Sequence, residues 1–251
     1  MVKQGELIAV WFSCGAASAV AAKKTIELYG KTANIRVINN PVKEEHLDNV
    51  RFLKDVEKWL GLPIEFAINK KFPSCSAVDV WEARQFMSGV SGAPCTLELK
   101  KKAREQWENE NKPDWHVLGF TFDEVNRFEK FKSRERENTL GVLIDLKITK
   151  DDCFKIIQDA GIKLPEIYNI GFPNANCIGC VKASSPTYWN LVREKFPDVF
   201  KKRADQAAEI GANLARYKGK RIPLHLLPDN ATGRKLKKMN IECGIFCEER
   251  R

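Results

Sequence analysis

A chain of 251 residues with 43% hydrophobic and 30% charged residues has the composition of a globular protein, not of a disordered or fibrous one. It contains no apolar run of about 18 residues, which excludes a helical membrane span, and its first strand pattern follows the N-terminus without a signal-peptide cleavage site; a cytoplasmic location and no membrane partner are expected. Lys and Arg (42) outnumber Asp and Glu (33), and the resulting +9 suits an anionic partner, a phosphorylated small molecule or a nucleic acid, although scattered surface charge gives the same total.

In chain order, residues 6–12 (ELIAVWF) form the short apolar run of a buried parallel strand. A turn of small residues, Ser13 to Ser18, leads into a helix that ends at Gly30. A second strand is predicted over 33–40, and a helix over 44–60 on the spacing of Leu47, Val50, Leu53, Val56 and Leu60. A third strand follows at 63–69, a charged helix at 97–109, a strand at 115–122, an extended segment at 142–146 and a short helix at 151–160. Strands alternating with helices predict a doubly wound, mostly parallel α/β domain over 1–170. Past Gly171 the character changes to a loop (FPNANCIGCVKASSP), helices around 186–217 and a basic tail, so 171–251 is read as a cysteine-bearing, largely helical C-terminal region.

The turn between the first strand and its helix is the natural anion site of such a sheet, because backbone N–H groups and the positive helix end converge there. Ser13, Gly15, Ala16 and Ser18 are its candidate nucleotide-binding residues. A tight connection that binds nothing has the same composition.

Eight cysteines are many for a reducing compartment. Cys177 and Cys180 have the C-x-x-C spacing that holds one metal, or one redox-active dithiol, though the loop context fits a thioredoxin-like pair poorly. Cys95 heads a helix after Pro94, and Cys243 and Cys247 lie in the tail as ECGIFC. Four of these five complete a zinc site or a [4Fe–4S] cluster and leave one thiol as nucleophile; five unrelated buried cysteines are the plain alternative. Cys153 reads as core, Cys75 has no evident partner, and His46, His116 and His225 lack a metal-binding spacing. Lys130, Lys132, Arg134 and Arg136, interleaved with Phe128 and Phe131, suit either a nucleic-acid strand or a solvated surface, and GRKLKK at 233–238 is a second basic run.

With these residues the chain resembles the PAPS reductase-like family of the adenine nucleotide α-hydrolase (PP-loop) superfamily. FSCGAAS is similar to the superfamily's SGGxDS loop, with Cys14 for the first Gly of the pair and Ala17 for the Asp. The missing Asp speaks against ATP pyrophosphatase chemistry and for the reductases, which bind a sulfonucleotide without cleaving ATP. Glu242-Cys243-Gly244-Ile245 resembles the reductases' ECGxH motif, with Phe246 for the His. Where cluster-bearing members carry a Cys-Cys pair, this chain has Cys95 alone, followed by the later C-x-x-C. The segment from Gly119 to Arg127 is similar to the one that holds phosphate or sulfate, with Arg127 as its final Arg, Thr121 for its first Arg and Val125 for its Ser.

The resemblance implies an adenine nucleotide (a sulfonucleotide or ATP) on the 13–18 turn with help from Arg127; Lys100 and Lys101, placed after Cys95, suit an anion or the cluster, or equally a solvated helix face, and Lys100 is a further nucleotide-binding candidate. The same resemblance implies a [4Fe–4S] cluster, or zinc, on Cys95, Cys177, Cys180 and Cys247, with Cys243 as catalytic nucleophile beside Arg127 and a thiol reductant protein as partner. The reverse assignment of Cys243 and Cys247 stays open. The alternatives are an ATP- and cluster-dependent sulfurtransferase that thiolates DNA or RNA, and a zinc-stabilised, non-catalytic nucleic-acid-binding module.

Overall fold

The computed structural model describes residues 1–89 and 92–236, which divide into two compact units. The first unit comprises Met1–Pro41, Leu47–Ile68 and Ala103–Glu166. The second comprises Val42–His46, Asn69–Lys102 and the described residues from Ile167 onward.

The first unit is built on one parallel sheet of five strands, β1 (Leu7–Phe12), β2 (Asn34–Asn39), β3 (Ile64–Phe66), β4 (Trp115–Val117) and β5 (Thr139–Leu140), in the order β3-β2-β1-β4-β5. This is the doubly wound α/β architecture that the alternation of elements predicts. β1 lies at the centre, paired with β2 (Leu7 opposite Asn34) and with β4 (Ile8 opposite Trp115). Central position explains its composition: Ile8 to Phe12 are all buried, so neither face tolerates a polar residue. The helix Ala16–Tyr29 buries Ala16, Ser18, Ala19, Val20, Ala21, Ala22 and Thr25, small side chains that let its backbone approach its neighbours closely.

The second unit holds the helices Ala77–Arg84, Pro186–Lys195 and Pro197–Ile210, a helical turn Pro94–Thr96 that continues as a π-helical stretch Leu97–Lys102, and a hairpin of β6 (Ala215–Tyr217) and β7 (Lys220–Ile222). Its core gathers Trp81, Met87, Tyr188, Trp189 and Val192, with Cys177 and Cys180 among the buried residues.

Several elements differ from the sequence reading. The strand expected over 115–122 ends at Val117, because the chain turns at once: the Phe120 N–H bonds the Leu118 carbonyl, and Thr121 begins a capping box with Glu124. Val142–Asp145 is a helical turn, not an extended segment. The second helix begins at Asp48, so Leu47 and Val50 are exposed and the apolar face is carried by Phe52, Val56 and Leu60. Residues 215–217 form β6, where helix was expected. The helices Ala77–Arg84 and Val125–Arg134 were not anticipated.

Candidate functional site

Ligands of open α/β sheets bind where the strand order reverses, at the carboxyl ends of the strands. Here the chain runs outward from β1 to β2 and β3, then returns to place β4 on the other side of β1. The switch point lies between β1 and β4, and two connections leave it: Ser13–Gly15 after β1 and Leu118–Thr121 after β4.

In the first connection Cys14 adopts φ 56°, a left-handed conformation natural to glycine, and its side chain is buried. The Asn39 amide, at the end of β2, donates to the Phe12 carbonyl at 2.8 Å and to the Cys14 Sγ at 3.5 Å, which holds the turn against the sheet. The Ser18 hydroxyl receives the Ser13 N–H (3.1 Å), lies 3.1 Å from the Ser13 hydroxyl, and donates to the Gly15 carbonyl (2.9 Å). Gly15 is the N-cap of the helix that follows; it offers no capping side chain, and the first turn holds no acidic residue. The positive end of a 14-residue helix is therefore not neutralised by its own sequence.

The second connection backs onto the first. A Cβ on Gly119 would stand 2.7 Å from the Ser18 backbone N and 3.0 Å from the Ala17 carbonyl carbon, so only glycine fits. Arg127 lies further along, in the helix Val125–Arg134, ion-paired with Glu124 and with its guanidinium carbon 5.2 Å from the centre of the Phe120 ring. Ser13 and Gly15 thus lie in the connection after β1, Ala16 and Ser18 in the first turn of the helix it leads into, and Arg127 in the helix beyond the connection after β4. Lys100 belongs to the second unit, where its ammonium meets Glu45 at 3.5 Å with both side chains largely buried.

Within the second unit, Cys177 and Cys180 bound a turn whose Gly179 has φ 68°. The Tyr188 hydroxyl accepts the Cys180 N–H at 2.8 Å and donates to the Cys177 carbonyl at 3.3 Å. Arg203, 4% exposed, donates through Nε to the Gly179 carbonyl at 3.3 Å and through a terminal nitrogen to the Gln206 Oε1 at 2.8 Å. Its guanidinium lies over Trp81, 4.1 Å from the ring centre. Burial pushes the Arg203 pKa down, and the negative charge of Glu44, with that of the Cys177 and Cys95 thiolates when ionised, opposes that loss. Glu44 is itself fixed: its carbonyl accepts the Ile178 N–H at 2.9 Å, and its carboxylate accepts the Ala77 N–H at 2.8 Å and the Ser76 hydroxyl at 2.9 Å. A recess of about 10 Å³, room for a single water, is lined by Asn174, Asn176, Cys177 and Tyr188.

Soft sulfur donors at C-x-x-C spacing fit zinc or an iron–sulfur cluster. A buried guanidinium on the Gly179 carbonyl, between Cys177 and Cys180, fits the negative charge that thiolates carry when they bind metal. Among the described residues, no three His, Cys, Asp or Glu side chains lie close enough together to hold a metal ion. Cys243 and Cys247 lie outside the described residues.

Other cysteines and aromatics have structural places. Cys153 is buried in the first core and burial pushes its thiol up to about 12. Phe128 and Phe131 are buried against Phe120, which removes the base-stacking part of the nucleic-acid reading and leaves Lys130, Lys132 and Arg134 exposed. His116 packs in the first unit, where its Nδ1 accepts the Trp11 indole N–H at 3.3 Å.

Sequence reasoning passed over Arg203, Tyr188, Glu44 and the close approach of Gly119. A signal for Arg203 existed: Phe196, Phe200, Arg203, Ala207 and Ile210 recur at helical spacing, so a cation stands in an apolar stripe.

No described helix is long and apolar enough to cross a membrane. No family model matches the chain, and no curated protein matches it in sequence. Among solved structures it is similar to phosphoadenylyl-sulfate (PAPS) reductase from Candida auris in a phosphate complex, at 10% identity over 68% of this chain and 80% of that one, with a TM-score of 0.47. It is also similar to the U34-tRNA thiolase NcsA from Methanococcus maripaludis with its [4Fe-4S] cluster, at 15% identity over 83% of this chain and 71% of that one, with a TM-score of 0.49.

Proposed function

We propose that the protein is a sulfur-handling enzyme of the PAPS reductase-like kind, which binds an adenine nucleotide on the Ser13–Ser18 turn and a cysteine-ligated metal centre on Cys177 and Cys180. The observation that carries the reading is Arg203, a buried guanidinium that donates to the Gly179 carbonyl inside the Cys177–Cys180 turn. Burying an ion costs several kcal/mol unless opposite charge accompanies it; Glu44 supplies part of that charge, and thiolates in a metal centre add to it. Four ligands require Cys95 and one tail cysteine, Cys247 in the preferred assignment, to close on the C-x-x-C pair, since among the described residues Cys95, Cys177 and Cys180 do not already form a three-ligand group. A [4Fe–4S] cluster bound there supplies electron-poor iron and a fixed negative charge, with zinc as the alternative occupant.

On the nucleotide side, the open N-terminus of the helix Ala16–Tyr29 binds phosphate, and Arg127 exchanges part of its pairing with Glu124 for the sulfate or phosphate of the ligand. The Cys243 thiolate attacks the sulfur of the sulfonucleotide. The bond from sulfur to the phosphate oxygen breaks, and the nucleotide leaves with that electron pair. The S-sulfonate left on Cys243 is attacked at its Cys243 sulfur by a second thiol, which releases sulfite and leaves a disulfide. A dithiol reductant protein returns two electrons to that disulfide and regenerates the thiol.

A second reading, ATP-dependent thiolation of DNA or RNA, is favoured by the +9 charge and by exposed Lys130, Lys132 and Arg134 on one helix. One experiment separates the two. Anaerobically purified full chain is incubated with PAPS plus a dithiol, and in parallel with ATP with and without nucleic acid. Sulfite release that Cys243→Ser abolishes supports the reductase. AMP formation that depends on nucleic acid replaces it with the sulfurtransferase.

A further inference from the structure

In an ordinary four-residue turn the carbonyl of the first residue accepts the N–H of the fourth. Between Cys177 and Cys180, where Ile178 and Gly179 form a hydrogen-bonded turn, both groups also meet the Tyr188 hydroxyl, which accepts from Cys180 N–H at 2.8 Å and donates to the Cys177 carbonyl at 3.3 Å. Tyr188 thus braces both ends of the turn. From the next helix, Arg203 grips the intervening Gly179 carbonyl at 3.3 Å, so three backbone groups of the turn are held by two side chains.

Neither side chain has freedom to leave. Tyr188 is 2% exposed, with its ring edge-on to Phe172 (5.5 Å) and to Trp189 (5.4 Å). Arg203 is held by Gln206 and by the Trp81 face. Gly179 has no room to change: a Cβ there would meet Val199 at 3.3 Å on top of a φ of 68°. The neighbourhood thus fixes the backbone between the two cysteines before any metal arrives.

From this geometry we infer that Tyr188 is a positioning residue for the metal centre: its hydroxyl, bridging the Cys177 carbonyl and the Cys180 N–H, holds both ends of the C-x-x-C turn and so fixes the backbone that presents the two thiols to one metal, with Arg203 fixing the turn at Gly179. The inference rests on the reading of Cys177 and Cys180 as metal ligands. Residues that orient ligands in this way are worth about 10- to 100-fold in metal affinity.

The test uses full-length protein purified anaerobically, as wild type, Tyr188→Phe and Cys180→Ser. Bound iron and zinc are measured, and their release to a chromophoric chelator is followed in time. Thermal melts are recorded on metal-free samples of each. Tyr188→Phe keeps the ring packing and removes one oxygen, so its metal-free melt stays near that of wild type. Its metal is released about 10-fold faster or more, with shifted visible bands for the metal it retains. Release at the wild-type rate with unchanged bands overturns the role of Tyr188 and leaves the metal-centre reading standing. A metal-free melt that falls while release is unchanged also overturns it, because Tyr188 then serves packing alone. Wild type that binds neither iron nor zinc overturns both the inference and the reading beneath it.

Discussion

Gly119→Ala probes the nucleotide turn from behind. The new methyl would stand 2.7 Å from the Ser18 N, 2.9 Å from its Cα and 3.0 Å from the Ala17 carbonyl carbon. All three are backbone atoms in the first turn of the helix Ala16–Tyr29, not the tip of a side chain that could swing aside. Overpacking of this kind costs about 1–3 kcal/mol. The gain from a less flexible unfolded chain, about 0.4–1 kcal/mol, opposes it and is smaller. At roughly 2–4 °C per kcal/mol for a chain of this size, the melting temperature falls by a few degrees or more. The same displacement moves the N–H groups of the turn, so affinity for PAPS and for ATP, measured by calorimetry, falls at least tenfold. Thr149→Ala serves as the control: it removes the cap of the helix Lys150–Asp159, whose hydroxyl accepts the Asp152 N–H, and costs about 1 kcal/mol. It lowers the melting temperature without touching the turn, so nucleotide affinity stays unchanged. Equal affinity in Gly119→Ala and wild type, at a lowered melting temperature, would refute the assignment of the turn as the phosphate site.

Three further outcomes follow from the same interactions. His116 is buried and its pKa is pushed down to about 3, from 6.5, mainly by burial. The folded state holds it neutral while the unfolded state charges it below 6.5, so its contribution is intact above that pH and is lost as pH falls towards 3. At about 1.4 kcal/mol per pH unit, denaturant titrations of wild type lose on the order of 2 kcal/mol between pH 6.5 and 5 that His116→Asn does not lose; parallel losses in the two proteins would contradict this. Cys153, held near 12, resists iodoacetamide in native protein at pH 8 and reacts on unfolding, as mass spectrometry of digests reports; native labelling at the rate of a free thiol would count against its burial. Arg203→Leu removes the cation that opposes the charge of Glu44 and the thiolates, so the variant is purified with less than half the metal of wild type and melts lower; a full metal complement would remove the electrostatic support for the centre.

Much of the sheet was legible because its strongest signals are local. β1 sits at the centre of a parallel sheet and must be apolar on both faces, so ELIAVWF announces it. The turn at Ser13 was equally visible, since a strand, small residues and a helix follow in order. Short apolar runs were ambiguous, as VLID shows: four residues carry no period, and the Ile148 N–H reaching the Leu143 carbonyl closes a helical turn that sequence alone does not specify. The fate of Phe128 and Phe131 was also hidden, because their burial depends on Phe120, which follows β4. The C-x-x-C pair could be found by spacing; its supports could not. Tyr188 lies eight residues beyond Cys180 and Arg203 on a helix rich in charge, and only the packed fold brings both to the turn.

The central claim is a metal centre on Cys177 and Cys180. Iron, acid-labile sulfide and zinc are measured in anaerobically purified wild type and Cys180→Ser, together with the visible spectrum. The account predicts a brown wild type with about four irons and matching sulfide, both lost in the variant. Stoichiometric zinc in a colourless protein replaces the cluster with a structural metal, and a wild type with neither metal contradicts the claim outright.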